Sequence, residues 1–327
     1  MNIGITYDLR DDYLKQGFSL EETAEFDKID TIDAIDHTLQ ELGYQTDRIG
    51  NVKQLCMRLV KGDRWDLVFN ICEGMYGIGR EAQAPAVLDA WNIPYVFSDP
   101  LVLSLTLHKG MTKRIIRDAG IPTPDFFVVN TPEDISSVDL PFPLFAKPLA
   151  EGTGKGINAN SVIADADQLR KVCLHLLSAF KQPVLVETFL SGREFTVGIT
   201  GTGSKARSVA VMEVILKDTA EKNVYSMKNK EEWESLVDYR LIDEKIEQEC
   251  EKVALDSWIV LGCRDGGRVD IRYDKKGIPN FIEVNPLAGI HPNHSDLPIM
   301  ATKKGISYKN LIKMIMDSAM DRMSPNY

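Results

Sequence analysis

Cysteine is scarce in this sequence and scattered: the five residues, at 56, 72, 173, 250 and 263, form no C-x-x-C pair. An odd number without pairing spacing suits free thiols in a reducing compartment, buried as small apolar side chains. Positive charge is also short. Lysine and arginine number 38 against 48 aspartates and glutamates, a formal net charge of -10. A surface of that sign repels a phosphate backbone, which argues against nucleic acid as a partner. Long apolar runs are missing, for nowhere do the ~18 consecutive apolar residues of a membrane span follow one another. The opening MNIGITYDLRDDY has neither a basic region nor a long apolar stretch, so no signal peptide is expected and the protein is expected to be soluble and cytoplasmic. After the first apolar run, ITYDLRDD lacks G-x-G-x-x-G, against a dinucleotide-binding dehydrogenase. No histidine lies near Cys72 in the chain to activate it as a nucleophile.

What is present points to an enzyme-sized, multi-lobed protein. At 327 residues and 44% hydrophobic composition the chain fills two or three cores rather than one. Over residues 1–103, strand signals (MNIGITY, WDLVFNI, IPYVFSD) alternate with helical ones (TAEFDKIDTIDAIDHTLQELG, closed by Gly43, and REAQAPAVLDAWN). That alternation predicts an α/β lobe with a parallel sheet. In residues 104–186, LTLHKGMTKRIIRDAG predicts a helix ending at Gly120, followed by the strand PFPLFAKP, the helix DADQLRKVCLHLLSAF and the strand PVLVETFL. The last part, 187–327, reads as α+β. Paired strands REFTVGIT and RSVAVMEVIL lead into a polar loop, then the helix LIDEKIEQECEKVALDSWIVLG, a hairpin, and a final helix YKNLIKMIMDSAMDR.

The hairpin RVDIRYDKKGIPNFIEVN carries the first chemical signal. Residues two apart on a strand share a face. With the turn centred on Lys276-Gly277, Asp270 faces Glu283 and Arg268 faces Asn285; a slip of one residue would separate the carboxylates. Like charges directly opposed weaken a ladder, so a cation is expected between them. Two carboxylates and an amide oxygen suit Mg²⁺, whose other positions go to water and phosphate.

A place for phosphate lies upstream, in AKPLAEGTGKGINA. Lys147 ends an apolar strand, and Pro148 keeps it extended. The glycines of Glu151-Gly152-Thr153-Gly154-Lys155-Gly156 let backbone N–H groups approach phosphate oxygens. This is not a Walker loop, because Gly156 stands where Ser or Thr is required. Lys109 opens a basic helix.

Taken together, LHKGMTKRIIRDAGIPTP, FAKPLAEGTGKGI, VLVETFLSGREFTVGI, GGRVDI and FIEVNPLAGIHPNHSDLP resemble the ATP-grasp superfamily, and within it the D-alanine:D-alanine ligase branch. The resemblance implies an ATP-grasp fold in which the N-terminal lobe is followed by two lobes that clasp the nucleotide. It implies that Lys109 and Lys147 grip the ATP phosphates together with the loop of Glu151, Gly152 and Thr153. Glu187, with the backbone near Phe189 and Leu190, is then placed to read the adenine edge, and Glu194 to hold the ribose. Asp270, Glu283 and Asn285 resemble the ligands of two Mg²⁺ ions, with Mn²⁺ as an alternative. Arg268 and the backbone near Gly289 resemble the groups that hold the oxyanion, and Lys230 the lysine that closes over the γ-phosphate from a lid at 220–235. Dimers are common in the branch.

Implied, then, is an ATP-dependent ligase that converts a carboxylate to an acyl phosphate and passes it to an amine, on small-molecule substrates such as amino acids. The substrate end departs from the pattern. The family's G-G-x-S-x-E run is replaced by GITYDLRDDYLKQGFSLEETAEF, where Glu25 is the first choice for the substrate ammonium and Glu22 and Asp27 are rivals. Glu73 stands at the family's H-G histidine, Glu231 at its lid tyrosine and Thr153 at its loop serine. His294, Ser295 and Leu297 fall near the second substrate, with His291 and His294 expected to cap or line a polar pocket rather than bind metal. Glu73 adds acid where a cationic or amine-bearing substrate would gain from it. Two other readings stay open: a ligase joining an amino acid to a larger small molecule or peptide, and a nucleotide-binding sensor without catalysis.

Overall fold

The computed structural model describes residues 1–217, 219, 233–242 and 244–323. The first sheet contains β1 (Asn2–Tyr7), β2 (Gln45–Gly50) and β3 (Leu67–Ile71), parallel and in the order β2-β1-β3. All five residues of β3 are buried, as expected of a parallel strand covered on both faces. Helices α1 (Arg10–Lys15), α2 (Ile29–Glu41), α3 (Val52–Val60) and α4 (Gln83–Ala90) belong to this lobe. Two expectations change here. The helix expected from residue 23 starts only at Ile29, because Arg10 gathers the preceding turn, its Nη2 donating to Ala24 O at 2.7 Å and its Nε to Phe26 O at 3.1 Å. The strand expected at IPYVFSD amounts to one bridge between Val68 and Tyr95, since Phe97 turns away at φ +76° and gives its N–H to Asp265.

Next come α5 (Pro100–Leu107) and α6 (Lys109–Asp118), expected as one helix. His108 separates them at ψ 83°, and its Nδ1 accepts from the N–H of Met111 at 3.1 Å. The break makes Lys109 the first residue of a helix rather than an interior one. The second sheet, order β4-β7-β5-β6, contains β4 (Phe126–Val129), β5 (Leu144–Pro148), β6 (Val162–Ile163) and β7 (Val184–Thr188), backed by α7 (Ala166–Phe180). The expected division after residue 186 falls inside β7, where Glu187 and Thr188 still pair with Phe145 and Leu144.

The third sheet is antiparallel, order β10-β9-β8-β11-β12, from β8 (Glu194–Thr200), β9 (Arg207–Leu216), β10 (Val237–Leu241), β11 (Gly266–Tyr273) and β12 (Pro279–Asn285). The short α8 (Trp233–Leu236) precedes β10, α9 (Glu244–Val260) covers one face, and α10 (Asp296–Lys303) and α11 (Tyr308–Met323) follow the hairpin. Residues of α10 and α11 pack into one core with Ile3, Ile5 and Phe69 of the first sheet and Ala210 and Met212 of the third. The first and third lobes therefore share a core.

The hairpin register holds where the chemistry needs it: Arg268 pairs with Asn285 and Asp270 with Glu283. Beyond Asp270 it shifts, Ile271 facing Phe281, so Ile282 is bulged and the turn is longer than two residues. Asp274 Oδ1 organises that turn by accepting from the N–H groups of Lys276 and Ile278 at 2.8 and 2.9 Å. Among the described residues no helix is long and apolar enough to cross a membrane.

Candidate active site

The second and third sheets face each other across a cleft lined by Lys109, Lys147, Glu151, Glu187, Phe189, Leu190, Glu194, Asp270 and Glu283. Sequence reasoning placed all nine at one site, and the fold brings them together. Lys147 Nζ lies 3.3 Å from Glu283 Oε2 and 3.4 Å from Glu187 Oε1. Burial would lower the Lys147 pKa, but the two carboxylates outweigh it and raise the value above that of an ordinary lysine. Lys109 Nζ donates to Glu151 O at 2.5 Å and stands 3.8 Å from Glu283 Oε2. Here burial prevails and lowers the pKa, with Glu283 opposing.

Sequence reasoning passed over Lys113. It is completely buried one turn after Lys109, its Nζ 2.9 Å from Glu187 Oε2 and 3.0 Å from Thr123 Oγ1. The i, i+4 spacing from Lys109 was the available signal, since it puts both ammonium groups on one face of α6. Glu187 thus sits between two lysines, whose charges overcome the effect of burial and keep its pKa below the usual carboxylate range. At the far end of the cleft, the Phe145 and Phe189 rings stack with centroids 6.4 Å apart. Arg272 lies over the Phe189 ring at 5.0 Å and reaches Glu194 Oε2 at 3.4 Å. Flat apolar walls beside a held carboxylate suit an adenine and its ribose.

The loop 151–156 forms the other wall. Thr153, Gly154 and Gly156 take positive φ of 56°, 75° and 72°, a left-handed path that bends the loop. Glu25 reaches this loop from the first lobe. Its oxygens accept from Arg80 Nη2 at 3.0 and 3.1 Å and from the Gly152 N–H at 2.6 Å, and Lys155 Nζ is 3.4 Å away. Burial alone would raise its pKa; Arg80 and Lys155 bring it below the ordinary value. Glu25 therefore ties the first lobe to the glycine loop, and neither Arg80 nor Lys155 was singled out from the sequence. Of its rivals, Glu22 is exposed and accepts from Ser19, while Asp27 is partly buried. Burial pushes the Asp27 carboxyl up to about 7. Glu73 and Glu81 are partly buried as well: burial and neighbouring carboxylates raise Glu73 well above the usual range, and burial, then Glu25, lift Glu81 to about 7.

Arg268 is buried on β11, its Nη1 2.5 Å from Asp296 Oδ2 and 3.5 Å from Asp270 Oδ1. Ser295 lies close to Gly289, where a Cβ would stand 2.8 Å from its Oγ, and that Oγ accepts from the His291 N–H at 3.0 Å. The Leu297 side chain is buried in the core shared by the first and third lobes. His294 is exposed; His291 pairs with Asp30 across the lobes at 3.4 Å. Lys230 and Glu231 lie outside the described residues.

A divalent ion fits the donors present. Among the described residues no three His, Cys, Asp or Glu side chains gather as a self-sufficient metal set. What faces the cleft is a pair of opposed carboxylates, Asp270 and Glu283, with the Asn285 amide further along β12. Thr196, across from Asp270 on β8, keeps a buried hydroxyl that makes no hydrogen bond among the described residues. So few protein ligands suit a hard ion that completes its shell with water and phosphate.

Comparison with known proteins agrees with this geometry. The family model described as the D-ala D-ala ligase C-terminus matches residues 115–317. A D-alanine--D-alanine ligase of Aquifex aeolicus is 31% identical over 285 residues, covering 86% of this chain and 92% of that protein. A D-alanine--D-alanine ligase of a Marinomonas species is 33% identical over 267 residues, 80% of each chain. Among solved structures, D-alanine--D-alanine ligase from Bacillus anthracis complexed with ATP matches with a TM-score of 0.73 at 23% identity, covering 98% of both chains. The VanG D-Ala:D-Ser ligase from Enterococcus faecalis matches at 0.72 and 19%, covering 97% of this chain and 99% of that one. Fold and relatives define an ATP-grasp enzyme, a ligase that forms a C–N bond at the expense of ATP. Within that class, the chain belongs to the D-alanine--D-alanine ligase family.

Proposed function

We propose that this protein phosphorylates the carboxylate of an amino acid with ATP and joins the product to the amine of a second amino acid, with magnesium as the divalent ion. The observation that carries this reading is the convergence of Lys109 and Lys147 on Glu283, opposite Asp270 and one strand pair from Arg268. Carboxylates do not react with amines at neutral pH, so the acyl group must first be activated. Lys109 and Lys147 offset the charge that spreads over the transferring phosphoryl group. Arg268 and the backbone at Gly289 then hold the oxyanion as the amine attacks and phosphate leaves. Magnesium held by Asp270, Glu283 and Asn285 supplies further charge neutralisation at the phosphates.

D-alanine is the substrate in the relatives' names, yet Glu25 stands near further carboxyl groups, Glu73 and Glu81. Burial is the first cause that raises the pKa values of Glu73, Glu81 and Asp27, and repulsion from Glu25 adds to it at Glu73 and Glu81. A substrate with an additional cationic or amine group would relieve that repulsion. The assay is phosphate release with ATP, Mg²⁺ and pairs drawn from a wide amino-acid panel of both chiralities. Turnover with at least one pair, abolished by Lys147→Ala, is expected. D-alanine proving the best of the panel would refute the cationic preference, and silence across the panel would refute the amino-acid assignment.

A further inference from the structure

Arg268 is held by more than the cleft itself. While Asp296 Oδ2 takes its Nη1 at 2.5 Å, Asp296 Oδ1 accepts from the Tyr239 hydroxyl at 3.0 Å. The Arg268 and Asp296 side chains are only 9% and 12% exposed, so little water competes for the contact. The three residues come from β11, α10 and β10. Their meeting depends on Gly198, which faces Arg268 from β8. A Cβ at Gly198 would stand 2.8 Å from Leu297 Cδ1 and 3.1 Å from Met300 Cε, so its absence lets α10 lie close enough to bring Asp296 to the guanidinium.

We infer that Asp296, backed by Tyr239, is a positioning residue for Arg268. It holds the guanidinium in one plane, aimed at the place where the tetrahedral oxyanion forms. Donors aimed in advance cost no reorganisation when charge develops, which is where such groups gain their effect. The inference rests on the role given to Arg268 in the proposed function, and the experiment separates the two.

Asp296→Asn keeps the side-chain shape and removes the charge. Turnover is followed as ADP release with the fastest amino-acid pair of the panel. A fall in kcat of about 10- to 100-fold is expected, the scale of a small misplacement, with KM for ATP and Tm nearly unchanged. In an Arg268→Lys background the same change should cost less than about twofold, because two residues acting as a unit are not additive. A crystal structure of Asp296→Asn should show the guanidinium displaced. An unchanged or higher kcat, an equal loss in both backgrounds, or an unmoved guanidinium overturns the inference. If no pair turns over, the crystal structure alone decides. Full activity of Arg268→Lys by itself would instead count against the role of Arg268, and so against the functional reading.

Discussion

At the scale of single residues, the site is a set of charges in surroundings that resist charge. Glu187 stays ionised because Lys113 and Lys147 flank it, and Lys147 stays protonated because Glu187 and Glu283 flank it. At Asp27 burial outweighs the support of Thr31 and Arg10 and pushes the carboxyl up to about 7. Its folded pKa lies above the unfolded value, so the neutral form is favoured in the folded state. Its contribution to stability is complete below about pH 4 and is lost as pH rises towards 7. Asp27→Asn should therefore gain in Tm relative to the parent between pH 4 and 7, and thermal melts across that range would show a constant difference if the prediction is wrong.

Among the elements, the glycine loop is the one most closely fitted to its neighbours. Gly152 gives its N–H to Glu25 at 2.6 Å, and a Cβ there would stand 2.7 Å from Glu25 Oε1. That oxygen has little room to retreat, since Arg80 and Lys155 hold the same carboxylate. Gly152→Ala should cost about 1–3 kcal/mol, the usual range for overpacking, read from urea unfolding, and should weaken nucleotide binding as the loop shifts. A neutral effect on both would show that Glu25 is not the fixed post described above. The Ile282 bulge and the His108 break belong to the same scale. One ends the register that aligns Asp270 with Glu283, and the other starts a helix at Lys109.

In the whole molecule, the first and third lobes share a core while the second sheet keeps its own. The second lobe meets the others through α6, whose Ile116 packs into the third sheet's core, and through charged contacts, among them Lys147 with Glu283, Arg80 with Ala150 O, and Lys155 with Glu25. A nucleotide in the cleft would bridge these bodies, so a non-hydrolysable ATP analogue with Mg²⁺ should stabilise the protein by ~2.7 kcal/mol at a hundred times Kd. Calorimetry would register this as a rise in Tm. Lys147→Ala should remove most of the rise, and an equal rise in that variant would move the nucleotide elsewhere.

The amino-acid sequence by itself determined the contents of the nucleotide cleft. Strand periodicity puts Asp270 and Glu283 on one face, Pro148 keeps Lys147 extended, and five motifs in order name the family; each signal is local, spanning a few residues. Only the tertiary structure decided the substrate end. Arg80, Lys155 and Asp296 meet partners far away in the chain, Glu25 for the first two and Arg268 for the third, and charge pairing at such separation leaves no period to read in the chain. For the same reason the cations beside Glu25, Arg80 and Lys155, were not readable from the chain: a carboxylate's partner is set by whichever cation packing brings nearest.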